Sequence, residues 1–334
     1  MLSLDLLLLY AVATGVHAQP RFTFQNKPVK PEVSAEYVEL TLLRNPRSIC
    51  LLDTATTKSA FEQEHIQGAQ WFNLNRVTYE TNEQRYNVVH PNDFEEYARS
   101  LGVTQECHVV LCDHGEDDTA INTATRAWWL FKLYGHERVS VMHGGLRQWK
   151  FWYHVVPVVS GPGRTRPTGA GNFRAVWQPT LISSWADVEW LMDLHHDEAV
   201  LIDARSKAEF DGDLADEMAA HGGRVRGALN IPYEAVLLAH GIMKPTDQLL
   251  HLFGQFGLRP DNNPSITSAT HHLLGNNNNR VSASSSASSP KHVVVYCNDG
   301  SEASTVAFAL AKIGLNSSIY NGGWVEFSQK ADTK

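Results

Sequence analysis

The residue with the most chemistry to offer is Cys297, which follows the apolar run Val293-Val294-Val295-Tyr296 and precedes Asn298-Asp299-Gly300-Ser301-Glu302. From Ala303 to Ile313 apolar residues recur at helical spacing, so the pattern predicts strand, tight loop and helix N-terminus. In such a loop successive backbone N–H groups curl around one point and the positive helix end adds to them, which stabilises an anion. A thiol placed there is expected to ionise below its ordinary value of about 8.5 and to act as a nucleophile. Gly300 gives the backbone freedom that the turn needs, and Ser301 either offers a hydroxyl to a bound sulfur species or caps the loop. The bland alternative for Cys297 is a small hydrophobe closing a strand.

The other cysteines carry less. Cys112 stands at a similar strand end, but Asp113-His114-Gly115 follows it, and the position matching Cys297 is Cys112 or Asp113 depending on one residue of register. Cys50 and Cys107 read as packing residues. Four cysteines with no Cys-x-x-Cys pair form neither a disulfide scaffold nor a zinc site, so no metal is expected. A net charge of -8 gives no basic footprint for a phosphate backbone and argues against a nucleic-acid partner.

The elements that must position Cys297 occur twice. Ile49-Cys50-Leu51-Leu52-Asp53 matches Val200-Leu201-Ile202-Asp203-Ala204-Arg205, and His65-Ile66-Gln67-Gly68-Ala69 matches Arg224-Val225-Arg226-Gly227-Ala228. His108-Val109-Val110-Leu111-Cys112 matches His292-Val293-Val294-Val295-Tyr296-Cys297, and Val141-Met142-His143-Gly144-Gly145 matches Ile319-Tyr320-Asn321-Gly322-Gly323. Four anchors in one order, twice, make an internal repeat. Short apolar strands alternating with helices, such as 124–134 and 303–313, predict an α/β fold: tandem domains, each a parallel sheet with helices on both faces. At 334 residues, 43% hydrophobic, the chain has enough core for two domains.

The boundaries follow from composition. Residues 31–156 form the first domain and 181–330 the second. A Pro-, Gly- and Arg-rich stretch at 157–180 reads as a linker. An Asn- and Ser-rich stretch at 261–290 is too polar to offset its ordering entropy and reads as a disordered insertion. A smaller polar insertion at 211–223 is placed over the site. Residues 1–18 read as a signal peptide, because an apolar run from Leu6 to Val16 ends in Val16-His17-Ala18, although no Lys or Arg precedes it. That run is too short to span a bilayer. Secretory or extracellular placement follows, with a mitochondrial or cytosolic protein as the alternative. Asn316-Ser317-Ser318 then becomes a glycosylation acceptor.

On these residues the sequence resembles the rhodanese family, specifically the two-domain thiosulfate and 3-mercaptopyruvate sulfurtransferases. The resemblance runs from about residue 31 to 330. Its best local matches are Leu52-Asp53 with His65 to Ala69, Arg126-Ala127-Trp128-Trp129, Gly144 to Trp149, and Tyr320 to Phe327. In that family the second domain carries the catalytic Cys and the first is an inactive copy, which places the nucleophile at Cys297. The resemblance implies a double displacement. The thiolate takes a sulfane sulfur from a small-molecule donor, holds it as a persulfide and passes it to a thiol or cyanide, with no cofactor. A cysteine phosphatase on this fold needs an Arg six residues after the Cys, where this sequence has Ala303.

Two departures stand out. The loop of active relatives resembles Cys-Arg-Lys-Gly-Val-Thr or Cys-Gly-Ser-Gly-Val-Thr, whereas this one carries Asp299 and Glu302, which would repel an anionic donor. Relatives place a substrate-binding Arg where Glu209 stands. Arg205 or Lys207 is the substitute available nearby, each otherwise a solvated surface charge. His65 reads as structural, since its repeat partner is Arg224. A non-catalytic rhodanese-fold binding module is the competing expectation, since fold does not fix function.

Overall fold

The structure, a computed structural model, describes residues 29–151, 155–163, 171–192, 199–260 and 292–331. The leader at 1–18 and the insertion at 261–290 lie outside the described residues.

Two five-stranded sheets form the frame. The first contains β1 (Glu32–Val33), β2 (Ile49–Asp53), β3 (Gln70–Trp71), β4 (His108–Cys112) and β5 (Val139–Met142), ordered β1-β5-β4-β2-β3. The second contains β6 (Ile182–Ser183), β7 (Ala199–Asp203), β8 (Leu229–Asn230), β9 (His292–Tyr296) and β10 (Ser318–Tyr320), ordered β6-β10-β9-β7-β8. The second order repeats the first, and every pairing in both sheets is parallel. β2 and β4 are buried at all five positions. Helices cover both faces, which is why these strands read as unbroken apolar runs rather than alternating ones.

The helices of the first domain are α1 (Ala35–Arg44), α2 (Lys58–Gln63), α3 (Pro91–Ser100), α4 (Ile121–Leu133) and α5 (Gly145–Phe151). Those of the second are α6 (Trp185–Met192), α7 (Lys207–Asp211), α8 (Thr246–Gly254), α9 (Ser301–Lys312) and α10 (Gly323–Ala331). Local chemistry sets their starts: Ser34 and Thr57 accept the Tyr37 and Ala60 amides, and Ser206 with Glu209 forms a capping box on α7. Among the described residues no helix is long and apolar enough to cross a membrane.

The repeat-related helices α4 and α9 pack on each other, with Trp128 edge-on to Phe308 at 5.1 Å between ring centroids. One core cluster runs through them, from Cys50 and Phe94 in the first domain to Val295 and Ile319 in the second. Side chains of the first domain are thereby brought to the Cys297 loop. The stretch at 157–180 is not a free tether. Val158–Val159 pairs antiparallel with His65–Ile66, and Phe173 is fully buried against Phe94, Phe131 and His136. Its apolar residues are too sparse to show a period, yet Val158 packs on the first-domain core and Phe173 is buried in it, while Val176 and Trp177 stay exposed.

Candidate active site

Backbone pairing fixes the register that sequence left open. Asp53 lies opposite Cys112, whereas Asp203 lies opposite Tyr296. Cys297 is therefore the first residue beyond its strand, and its counterpart in the first domain is Asp113. The loop turns through Gly300 at φ +86° into α9. It rests on Gly323 at φ +60°, where a Cβ would stand 2.4 Å from the Asn298 carbonyl oxygen and 2.5 Å from that of Cys297. Trp324 N–H donates to the Cys297 carbonyl at 2.8 Å, as Leu146 N–H donates to that of Asp113 at 2.9 Å. The paired glycines of the repeat are the floor of each loop.

Gly300 N–H donates to Cys297 Sγ at 3.0 Å, and the amides of Asp299 and Ala303 also favour the thiolate. The loop thus has the converging donors expected of it. The pKa expected from them does not follow: burial pushes the Cys297 thiol above its ordinary range, and Asp299 and Glu302 push it further. The sulfur has no exposed surface. Full desolvation of a thiolate outweighs the amides.

Both loop acids turn inward. The Cys297 thiol donates to Asp299 Oδ1 at 3.8 Å, an oxygen that also accepts from Ser301 N at 3.1 Å and Ser301 Oγ at 2.7 Å. The Ser301 hydroxyl is therefore engaged within the loop. Burial, with Glu209 and Asp299 nearby, pushes the Glu302 carboxyl up to about 8, so at neutral pH it is largely protonated. Asn298 Nδ2 donates to Glu209 Oε1 at 2.7 Å. Glu209 thus braces the loop from outside.

The first domain completes the site. Arg85 Nη1 donates to Asp299 Oδ2 at 3.1 Å, and its two Nη groups grip Asp216 at 3.2 and 3.1 Å. Asp216 belongs to the insertion at 211–223, which therefore does reach the site. Arg126, buried on α4, donates to the Gly300 carbonyl at 3.2 Å, the Tyr86 carbonyl at 3.0 Å and Asn321 Oδ1 at 2.5 Å. Burial lowers its pKa to about 10, still cationic at neutral pH. A cavity of about 330 Å³ opens between the domains, lined by Arg85, Arg126, Asp299 and Ser301 among uncharged hydrogen-bonding side chains such as Asn73 and Thr123. Arg85, Asp216 and Arg126 were missed by sequence reasoning. Arg126 stood in a quoted motif without a role, and the pairing of Arg85 with Asp299 spans 214 residues.

Arg205 does not face the cavity. It is fully buried, held by Asp203 Oδ2 at 2.6 Å and the Gly223 carbonyl at 2.7 Å, with its guanidinium 5.0 Å from the Trp324 ring. It is not a solvated charge, and it is not among the residues that line the cavity. Lys207 is exposed and pairs with Asp211. His65 is buried, with Nδ1 2.8 Å from the Phe61 carbonyl oxygen.

In the first copy the Asp113 carboxyl itself occupies the loop, contacting the amides of Asp113 and Gly115. Burial and Asp53 nonetheless push its pKa up to about 7. Burial opposes charge on His114, but the Asp53 carboxylate at 3.1 Å outweighs it and raises the imidazole pKa. Burial, then Asp53 and Asp113, hold the Cys112 thiol well above its ordinary range.

Comparison with known proteins agrees with the two-copy fold. The model of the rhodanese-like domain matches residues 36–151 and again 187–330. The 3-mercaptopyruvate sulfurtransferase of Mus musculus is 28% identical over 312 residues, 90% of this chain and 92% of that protein. The thiosulfate sulfurtransferase of Rattus norvegicus is 26% identical over 283 residues, 83% of this chain and 82% of that protein. Among solved structures, SseA from Escherichia coli, described as a 3-mercaptopyruvate sulfotransferase, superposes with a TM-score of 0.63 at 26% identity, covering 89% of this chain and 99% of that one.

Proposed function

Because this chain belongs to the family of rhodanese-like domains through both of its halves, we propose that it is a sulfurtransferase carrying one sulfane sulfur on Cys297. The donor is of thiosulfate or 3-mercaptopyruvate type and the acceptor is a thiol or cyanide. The observation that carries this reading is the Gly300 amide aimed at Cys297 Sγ from 3.0 Å at the start of α9. The Cys297 thiolate attacks the outer sulfur of the donor, and the bond joining that sulfur to the rest of the donor breaks, its electron pair leaving with the departing fragment. The loop amides then face a persulfide whose outer sulfur the acceptor attacks, restoring the thiolate. The reaction requires no metal or organic cofactor.

The charge on Asp299 sets the donor preference. A charge on Asp299 about 4 Å from a thiolate costs about 4 kcal/mol at an effective dielectric of about 20, before Arg85 offsets part of it. We expect slow turnover of thiosulfate, a dianion, and complete loss in Cys297→Ser. Steady-state rates with each donor and a thiol acceptor test this, and a thiosulfate rate equal to that of loops with basic residues would remove the acids from the account.

One observation favours a second reading, a binding module without turnover: Cys297 has no exposed surface. No turnover with any donor would select it. For location we propose entry to the secretory pathway through the leader, with a glycan on Asn316, which is exposed between α9 and β10. Secreted protein beginning at Gln19 supports this, and an intact Met1 end on protein retained in the cell overturns it.

A further inference from the structure

The Cys297 sulfur has no exposed surface although the interdomain cavity begins at its own loop. Asp299 both touches the sulfur and lines that cavity, so its carboxylate is a stopper between them. Two groups hold it there. Ser301 binds Oδ1, and Arg85, from the other domain, binds Oδ2. The two hydrogen-bonded partners of Arg85 are unequal: Asp216 takes both Nη groups, fixing the guanidinium in place with Glu217 3.8 Å from Nη2, whereas Asp299 takes one N–H of Nη1. A bidentate pair is the stronger, so the Asp299 leg is the exchangeable one. Arg85 is also the less buried of the two guanidinium groups lining the cavity, and its pKa is raised by Asp216 and Asp299, so its charge is permanent. Arg126 spends its Nη groups on the Gly300 carbonyl, the Tyr86 carbonyl and Asn321.

We propose that Arg85 is the anion receptor of this site and that Asp299 is the stopper it holds over Cys297: the carboxylate or sulfonate of a donor takes Nη1 of Arg85, Asp299 is released, and the thiol is uncovered. The anion receptor is thus supplied from the domain opposite the thiol. The same exchange moves a negative charge away from the sulfur, so donor binding and thiol activation are one event. A donor with a single anionic group is admitted at the expense of the Asp299–Arg85 contact, a dianion such as thiosulfate less readily because one exchanged contact offsets only one of its charges, and donors without an anionic group leave the stopper in place. The inference rests on Cys297 being the sulfur carrier, yet its test needs no sulfur transfer.

The test is the rate at which iodoacetamide, a neutral reagent, alkylates Cys297, followed by peptide mass spectrometry. The rate is measured with and without pyruvate or methanesulfonate, anions with no transferable sulfur, at constant ionic strength. The wild-type rate should rise saturably by about tenfold, a difference of about 1.4 kcal/mol. Asp299→Asn should react fast without the anion and ignore it, and Arg85→Ala should lose the response to the anion. A wild-type rate that the anions leave unchanged, or a full response in Arg85→Ala, overturns the proposal. Because alkylation is read without a donor, a gated thiol that never acquires sulfur would refute the sulfurtransferase reading and leave the gate standing.

Discussion

At Cys297 two effects of opposite sign meet, and their sizes decide how the residue behaves at rest. Loop amides at a helix start draw a thiol pKa down, while complete burial and two neighbouring carboxyls draw it up, and the second set wins. Residue spacing displays the amides but not the burial, so a lowered pKa was the natural expectation. Glu302 shows the same effect in a form that stability can report. Its folded pKa of about 8 lies above the ordinary value of 4.5, so the folded state binds more protons than the unfolded state in between. Stability from this group is present below 4.5 and is lost as pH rises through about 8. Glu302→Gln should therefore flatten the fall in melting temperature across that window. An unchanged slope in the variant would show that Glu302 is ionised in the fold.

Strands and turns were the most legible elements, because their signals are local. The apolar runs of β2, β4, β7 and β9 and the glycine pairs at 144–145 and 322–323 are where the sequence places them. Register was not legible: one residue separates Cys112 from Asp113, and only the Asp53–Cys112 pairing decides between them. The burial of Arg205 was not legible because a cation two residues before the start of α7 looks like surface, whereas Gly223 and Trp324, far away in sequence, close over it. Its pair with Asp203 belongs to the end of β7, and breaking it strands a buried charge. Asp203→Ala should destabilise the protein by about 3–5 kcal/mol in chemical denaturation, and Asp203→Ala with Arg205→Met should recover much of the loss. Arg205→Met with native stability but a raised KM for donor would instead return Arg205 to the substrate site.

The whole molecule is two copies of one fold that have divided their labour. The second copy keeps a thiol in its loop. The first fills the same loop with Asp113 and contributes Arg85, Tyr86 and Arg126 to its partner's site through the packing of α4 on α9. The repeat made the two domains legible, but no pattern along a chain records which side chains will meet across their seam. The division implies that a sulfur donor loads the protein once. The most direct test is the mass of the intact protein and its peptides after exposure to 3-mercaptopyruvate or thiosulfate. A gain of one sulfur atom, located on Cys297 and absent in Cys297→Ser, is the predicted result. No gain with either donor, or a gain on Cys112, would contradict the account.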